Sequence, residues 1–152
     1  MHLSAEGMKL LMQSEGFRRR VYLDAAGFKT VGYGHRVLEG ESFSDGVTEE
    51  QAAALLEHDV TLAEQAVARL VRVPLTQGQF DALVDFVFNL GAGRLAESTL
   101  LRQLNAGLYA QAAAQLVRWD RAGGTELAAL KARRQRELDL WNGSAGDRPS
   151  AA

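Results

Sequence analysis

Residues 21–35 read VYLDAAGFKTVGYGH. Valine, tyrosine, phenylalanine and threonine are common in β-strands, and the three glycines among these residues allow the chain to turn. The pattern predicts a short β-hairpin. We expect this to be the only β-like region of the chain, with loop or further irregular sheet over residues 36–46.

The remainder of the chain is rich in helix-forming residues. The whole chain has 24 alanines and 22 leucines, against 11 valines and no isoleucine, and this balance favours helix. A first helix is expected from about residue 4 to residue 15. Residues 48–73 are expected to be helical, either without interruption or with a break near residues 59–61. Further helices are expected to start at capping residues, so that the full set of predicted N-caps is Ser4, Thr48, Thr76, Ser98 and Thr125.

These elements predict an α+β protein that is mostly α, formed by one domain over residues 1–152. A small N-terminal lobe with the hairpin (about 1–60) is joined by a long helix to a helical lobe (about 61–143), and residues 144–152 are expected to be a frayed tail. A cleft between two lobes is a common place for a functional site.

Composition excludes several classes of function. The chain has no cysteine, which excludes disulfides, thiol catalysis and cysteine-ligated zinc. Its three histidines have no metal-site spacing, and its net charge of −2 gives no general attraction for nucleic acid. The charged residues Glu6, Lys9 and Glu15 argue against an N-terminal signal peptide or transmembrane segment.

The charges are unevenly distributed. Residues 41–65 contain seven acidic and no basic residues, whereas basic residues cluster at 18–20 and 131–136. Such runs commonly form solvated helix faces. A second interpretation is that Arg18–Arg20 attract a polyanionic substrate while the acidic block repels it.

Three polar residues near the predicted hairpin could perform acetal hydrolysis, namely Glu15, Asp24 and Thr30. That reaction needs an acid for the leaving oxygen and a second group that stabilises the sugar cation or positions water. A threonine hydroxyl can hold such a water. From the residues alone this signal is weak and favours ordinary surface carboxylates, because Glu–Asp pairs at this spacing are common.

The spacing and its surroundings resemble the phage-type lysozymes of glycoside hydrolase family 24. Eight residues separate Glu15 from Asp24 and five separate Asp24 from Thr30. The resemblance extends over roughly residues 5–142, and its other segments are SEGF (14–17), LTQGQFDALVDFVFNLG (75–91), STLL (98–101), LNAG (104–107) and ALKARR (129–134), before Glu137 and Trp141.

This resemblance implies a lysozyme-like fold and a muramidase that cleaves the β-1,4 bond between N-acetylmuramic acid and N-acetylglucosamine. By position, Glu15 would be the general acid, Asp24 the second carboxylate and Thr30 the residue that positions water, with inversion favoured. No metal or cofactor is implied. The expected partner is bacterial peptidoglycan, without nucleic acid or stable membrane insertion, and the expected state is a monomeric endolysin. It would stay in the host cytoplasm until a holin or another route releases it.

The resemblance also suggests substrate contacts, each with a structural alternative. His35 either lines the cleft or is hydrogen-bonded within the fold, and Arg36 would lie at the cleft edge. Phe88 either stacks on an N-acetyl sugar or packs in the core, whereas Asn89 is the better sugar contact. Thr99 either faces substrate or caps a helix. Both tryptophans, Trp119 and Trp141, are expected in the core.

Several points stay open from the sequence. A catalytically silent peptidoglycan-binding module and a lytic transglycosylase are the alternatives to a hydrolase, although a binding module would not need all three catalytic residues. The sequence does not decide which of Lys131, Arg133 and Arg134 reaches the cleft to orient Glu15. It also leaves open the source, the wall chemotype and whether the role is lysis, infection or attack on competitors.

Overall fold

The computed structural model describes residues 1–122 and 124–143. The chain begins with helix α1 and a three-stranded sheet, continues through five helices, and ends with a two-stranded sheet and a last helix. The elements are α1 (Ala5–Glu15), β1 (Arg18–Leu23), β2 (Lys29–Gly32), β3 (His35–Arg36), α2 (Glu49–Leu70), α3 (Gln77–Leu90), α4 (Ala92–Glu97), α5 (Thr99–Asn105), α6 (Tyr109–Leu116), β4 (Arg121–Ala122), β5 (Thr125–Glu126) and α7 (Ala128–Asn142).

The predicted hairpin is confirmed and is part of a larger sheet. Strands β1, β2 and β3 are antiparallel neighbours in that order. Thr30 in the central strand pairs with Tyr22 on one side and Arg36 on the other, so these three residues lie side by side across the sheet. The first strand starts three residues earlier than expected, and a bulge interrupts its pairing between Arg18 and Tyr22.

Most helix starts follow the predicted capping chemistry. Ser4 accepts a hydrogen bond from Gly7 N, and Ser98 accepts one from Leu101 N. Thr48 and Thr76 each form a complete capping box. Helix α2 runs unbroken through residues 59–61, so the predicted break there is wrong. The Thr61 hydroxyl donates to the Glu57 carbonyl one turn earlier within this helix.

One predicted helix start is wrong. Thr125 does not cap a helix but lies in β5, where it pairs with Ala122 of β4, so the N-terminal sheet is not the only β-structure. Gly124 has a positive φ of 81°, which favours a tight hairpin turn over a helix start. Helix α7 begins only at Ala128. The predicted tail at 144–152 lies outside the described residues.

Helix α3 forms the centre of the molecule. Ten successive residues, 78–87, are buried, and the helix packs against α1, α2, α4 and α7. Trp141 is buried, and Trp119 packs edge-on against Phe86 at 5.5 Å, which confirms their predicted place in the core. A smaller core beneath the sheet contains Val31, Val47 and Ala52.

The amino-terminal end of α1 is fixed to α3. Ser4 N donates to Asp81 Oδ1 at 3.0 Å, and the Ser4 hydroxyl donates to Asp81 Oδ2. The other end of α1 lies beside the sheet and α7. The last residue of α1 is therefore held where the sheet meets the helical part of the chain. Among the described residues, no helix is both long and apolar enough to cross a membrane.

Candidate active site

Glu15 is the last residue of α1. Gly16 follows with φ of 68° and turns the chain into the sheet, which leaves the Glu15 side chain between the sheet and α7. Its Oε1 accepts a hydrogen bond from Arg133 Nη1 at 2.6 Å, and only 15% of the side chain is exposed. The carboxylate is therefore held in one orientation at the edge of the solvent.

Gly34 lies directly against the other oxygen of Glu15. A Cβ atom at position 34 would come within 2.3 Å of Glu15 Oε2, and Gly34 has φ of 72°. Both facts require glycine, because a side chain would collide with the carboxylate and would strain the backbone. Arg133 therefore confines one oxygen of the Glu15 carboxylate and Gly34 confines the other.

Asp24 lies in the turn between β1 and β2 and is fixed by it. Its Oδ1 accepts hydrogen bonds from Ala26 N and Phe28 N, both at 2.9 Å. This is the local bonding that aspartate commonly makes in turns. Since one oxygen holds the turn, the position of the whole carboxylate is set by the hairpin.

Thr30 is anchored to the same turn. Its hydroxyl donates to the Phe28 carbonyl at 2.8 Å, and the residue is 5% exposed. Phe28 therefore binds Asp24 through its N–H and Thr30 through its carbonyl. With its hydrogen used in this way, the Thr30 oxygen has only lone pairs to offer a further partner.

Tyr22 connects the three residues. It pairs with Thr30 across the sheet, and burial, Glu15 and Asp24 raise the pKa of its phenol, while the Arg18 guanidinium, 4.4 Å from the ring centre, opposes them. Tyr22 thus lies beside Thr30 in the sheet and within electrostatic range of both Glu15 and Asp24. Sequence reasoning took Tyr22 only as a strand former, although its place two residues before Asp24 was a usable signal.

Arg133 is the cation that reaches Glu15. It also donates to Asp85 through Nε and Nη2, at 3.0 and 2.9 Å. Lys131 is instead exposed and lies 3.6 Å from Glu126, and Arg134 binds Glu137 and Asn89. Sequence reasoning missed Asp85, although a carboxylate within an otherwise apolar helix stripe is a sign of a buried partner.

Asp85 and Arg133 stabilise each other's charge. Burial alone would raise the pKa of Asp85, but hydrogen bonds from Glu137 and Arg133 and the guanidinium charges lower it. The pKa of Arg133 is raised because Asp85 and Glu15 together outweigh its burial. A buried arginine that binds two carboxylates is rigid, so Arg133 holds the partly exposed Glu15 carboxylate in place.

Comparison with known proteins identifies the family of this chain. The family model described as phage lysozyme matches residues 12–137. The endolysin of Salmonella phage P22 is 40% identical over 144 residues, which cover 93% of this chain and 98% of that protein. This chain belongs to the phage lysozyme family.

Solved structures give the same result for the fold. The muramidase domain of SpmX from Asticaccaulis excentricus is 38% identical, with a TM-score of 0.80 and coverage of 93% of this chain and 98% of that one. A phage P22 lysozyme is 39% identical, with a TM-score of 0.79 and coverage of 93% and 99%. The chain is therefore a lysozyme-type glycoside hydrolase of the peptidoglycan-degrading kind, and a silent binding module is not favoured.

His35 of this phage lysozyme is buried. It is 4% exposed, with Nδ1 2.7 Å from Asp59 Oδ2 and Nε2 2.9 Å from Glu41 Oε1. Both ring nitrogens are hydrogen-bonded to carboxylates. The structural alternative accounts for its position.

The other predicted substrate contacts of the lysozyme differ in their exposure and in the groups that they contact. Arg36 is exposed on β3, with its guanidinium 3.8 Å from the centre of the Phe28 ring. Phe88 is partly buried against the main core. Asn89 Oδ1 accepts from Arg134 Nη2 at 2.8 Å.

Thr99 is exposed, and its hydroxyl accepts from Arg102 at 2.8 Å, whereas Ser98 supplies the cap of α5. A capping role for Thr99 is therefore wrong.

No group of three or more histidine, aspartate or glutamate residues within 1–122 and 124–143 is placed to hold a metal ion.

Proposed function

We propose that this phage lysozyme hydrolyses the β-1,4 bond between N-acetylmuramic acid and N-acetylglucosamine, with Glu15 as the general acid. The observation that carries the proposal is the confinement of Glu15 by Arg133 and Gly34 next to the turn that fixes Asp24 and Thr30. A positioned acid can protonate the glycosidic oxygen as that bond breaks.

Asp24 and Thr30 are proposed to hold the attacking water. Because the Thr30 hydroxyl donates to Phe28 O, its oxygen accepts one hydrogen of the water, and Asp24 accepts the other. The water oxygen then bonds to the anomeric carbon as the glycosidic bond breaks. Asp24 receives the water proton and the leaving oxygen receives the proton of Glu15, which gives inversion of configuration.

Clearing of permeabilised cells by wild type and by Glu15→Gln tests the assignment of the acid. The amide has nearly the same shape but cannot donate an acid proton, so we expect at least about a 100-fold loss of clearing rate. Glu6→Gln, an exposed carboxylate on the same helix, is the matched control and should clear normally. Equal clearing by the Glu15 and Glu6 variants would exclude Glu15 as the acid.

The released fragments distinguish hydrolysis from transglycosylation. Hydrolysis gives a reducing-end muramic acid, whereas a lytic transglycosylase gives an anhydro form. Proton NMR of the first products should show the α-anomer if water attacks the face opposite the leaving group. An initial β-anomer would contradict direct attack by the water on Asp24 and Thr30.

We also propose a biological role as an endolysin that lyses the host of a phage. Support comes from the P22 endolysin, which this chain matches over 98% of its length. The protein would act as a monomer and would remain in the host cytoplasm until it is released to the wall. Expression together with and without a holin tests this, since lysis should require both proteins.

A further inference from the structure

Arg133 is shared by two carboxyl groups, but it binds them unequally. Asp85 accepts two hydrogen bonds from it, one on each oxygen, from Nε at 3.0 Å and from Nη2 at 2.9 Å. Glu15 accepts a single bond, from Nη1 at 2.6 Å. The two-point contact between a guanidinium and a carboxylate is the stronger arrangement, so Asp85 is the counter-ion of Arg133.

The next charged side chains inward are balanced separately. Arg134 and Glu137 have 0% exposed side chains and make two contacts of 2.7 Å with each other. They form one pair without net charge, and Arg133 with Asp85 forms another. Within residues 1–122 and 124–143, Arg133 is the only cation in salt-bridge contact with Glu15, and its charge is already compensated.

Compensation of this charge is important for a carboxyl that has to donate a proton. An unopposed arginine beside a carboxyl favours the ionised form and lowers the pKa by about 1–3. A general acid must instead enter the reaction with its proton. A guanidinium that already has a counter-ion can orient such an acid by a hydrogen bond, without the full effect of its positive charge.

The bond from Arg133 is compatible with a proton on Glu15. It reaches Oε1 alone, and a protonated carboxyl still accepts hydrogen bonds on its carbonyl oxygen. Oε2 is the oxygen nearest to Gly34. This second oxygen can carry the proton that is donated to the substrate, while Arg133 continues to hold the first.

We propose that Asp85 is a positioning residue for the general acid, because it fixes Arg133 and also compensates its charge. Arg133 then orients Glu15 without holding it in the ionised form. Asp85 is 1% exposed, so it acts through Arg133 and not on the substrate. The proposal rests on the proposed function, since it concerns the residue assigned there as the acid.

Other charged groups near the acid stay the same in the test. From α7, Arg136 Nη2 donates to the Ser14 hydroxyl at 3.0 Å, next to the end of α1. From the sheet, Tyr22 lies within electrostatic range of the acid, together with Asp24 and Arg18. Variants that change only the aspartate–arginine pair leave these groups in place, so a difference from wild type reports on the pair.

Asp85→Asn tests the compensation on purified peptidoglycan. The amide keeps the shape of the side chain but leaves the charge of Arg133 unopposed. The alkaline limb of the kcat/KM profile should therefore move to lower pH by about 1–3 units. A role in orientation alone would lower kcat without moving this limb. Asp85→Asn combined with Arg133→Gln removes both charges, so the limb should return to its wild-type pH even if the rate stays low.

A titration followed by NMR gives a readout without activity. In the protein with ¹³C-labelled glutamate, the side-chain carboxyl resonance that Glu15→Gln removes is that of Glu15. Its pH midpoint should be lower in Asp85→Asn than in wild type. Asp81→Asn is the matched control, because Asp81 is also a buried carboxylate of α3 but binds Ser4 and Gln77 instead of an arginine. It should move neither the midpoint nor the alkaline limb.

The outcomes separate the two proposals. An unchanged midpoint and alkaline limb in Asp85→Asn would overturn the compensation, and so would a shift that persists in the double variant. Thermal unfolding shows whether each variant is folded, and Asp85→Ser, with the same expected shifts, replaces Asp85→Asn if the amide does not fold. By contrast, a lowered midpoint in Asp85→Asn together with a fully active Glu15→Gln would refute the proposed acid alone.

Discussion

At the scale of single residues, Glu15 is positioned by what surrounds it rather than by its own rotamer preference. Arg133 binds one oxygen at 2.6 Å, and the Gly34 backbone lies against the other. A glutamate at the end of an exposed helix would sample several orientations, and each would have to be restricted again when substrate binds.

Gly34→Ala tests the close approach at this position. The new methyl would displace the Glu15 carboxyl and would also strain a backbone with φ of 72°, at a cost of about 1–2 kcal/mol from the backbone. We expect a similar loss of thermal stability in Gly34→Ala and Gly40→Ala, because Gly40 has φ of 87° but no neighbour within 4 Å. Only Gly34→Ala should also lose most of its clearing activity. Equal activity of the two variants would show that Gly34 does not position Glu15.

At the scale of secondary structure, His35 connects a strand, a helix and the loop between them by hydrogen bonds. It lies on β3, Asp59 lies on α2, and Glu41 belongs to the loop between them. Glu41 Oε1 also accepts from Leu38 N at 2.7 Å. Burial lowers the pKa of His35, but its hydrogen bonds to Asp59 and Glu41 outweigh burial and raise it overall. The pKa of Glu41 is lowered, first by the Leu38 bond and then by His35.

This arrangement predicts a defined pH dependence of stability. The raised pKa of His35 gives a stabilisation that is complete below the unfolded value of about 6.5 and disappears as the pH rises through the folded value. The lowered pKa of Glu41 gives a second stabilisation. It is present at pH values above the ordinary pKa of glutamate and is lost as the pH falls below it. Both are therefore present between about pH 4.5 and 6.5.

His35→Asn should reveal that window. We expect the variant to lose about 1.5–3 kcal/mol of unfolding free energy near pH 5.5, the range for hydrogen bonds to charged groups, and less near pH 8. Urea unfolding at a series of pH values measures the difference. His2→Asn, whose side chain is 91% exposed, serves as control and should show little change. If the loss of unfolding free energy in His35→Asn were the same at every pH, a protonated His35 bound to Asp59 and Glu41 would not be its cause.

At the scale of the whole molecule, the net charge of −2 conceals opposite regions. Seven acidic residues and no basic ones lie in residues 41–65. Strand β1, next to the candidate active site, begins with three exposed arginines, residues 18–20. Peptidoglycan is a polyanion through its muramyl and peptide carboxylates, so β1 should attract it while the acidic block repels it.

The rate of wall clearing should therefore fall as salt is added. Arg19→Gln combined with Arg20→Gln should lower the rate at low ionic strength and should flatten its salt dependence, because screening removes the attraction that the variant lacks. The pair Arg69→Gln and Arg72→Gln changes the net charge equally at the end of α2 and is the control. A rate that is flat or rises with ionic strength in wild type would refute electrostatic attraction by β1.

Much of this protein follows from local sequence. Capping residues such as Thr48 and Thr76 are followed by their partners three residues later, so the helix starts could be read directly. The hairpin followed from β-branched and aromatic residues between glycines, and the three predicted catalytic residues lie within one short segment. Local hydrogen bonds and steric preferences act over a few residues, and a linear pattern records them.

Other features were decided only by the tertiary structure. Arg133 and Glu15 are 118 positions apart. The sequence alone does not decide which of Lys131, Arg133 and Arg134 binds Glu15. Packing α1, α3 and α7 together selected one of them, because Asp85 on α3 binds Arg133 and leaves its Nη1 directed at Glu15. His35 was likewise turned inward by Asp59 and Glu41. Partners distant in sequence meet only when the helices pack, and burial then requires their charges to be balanced.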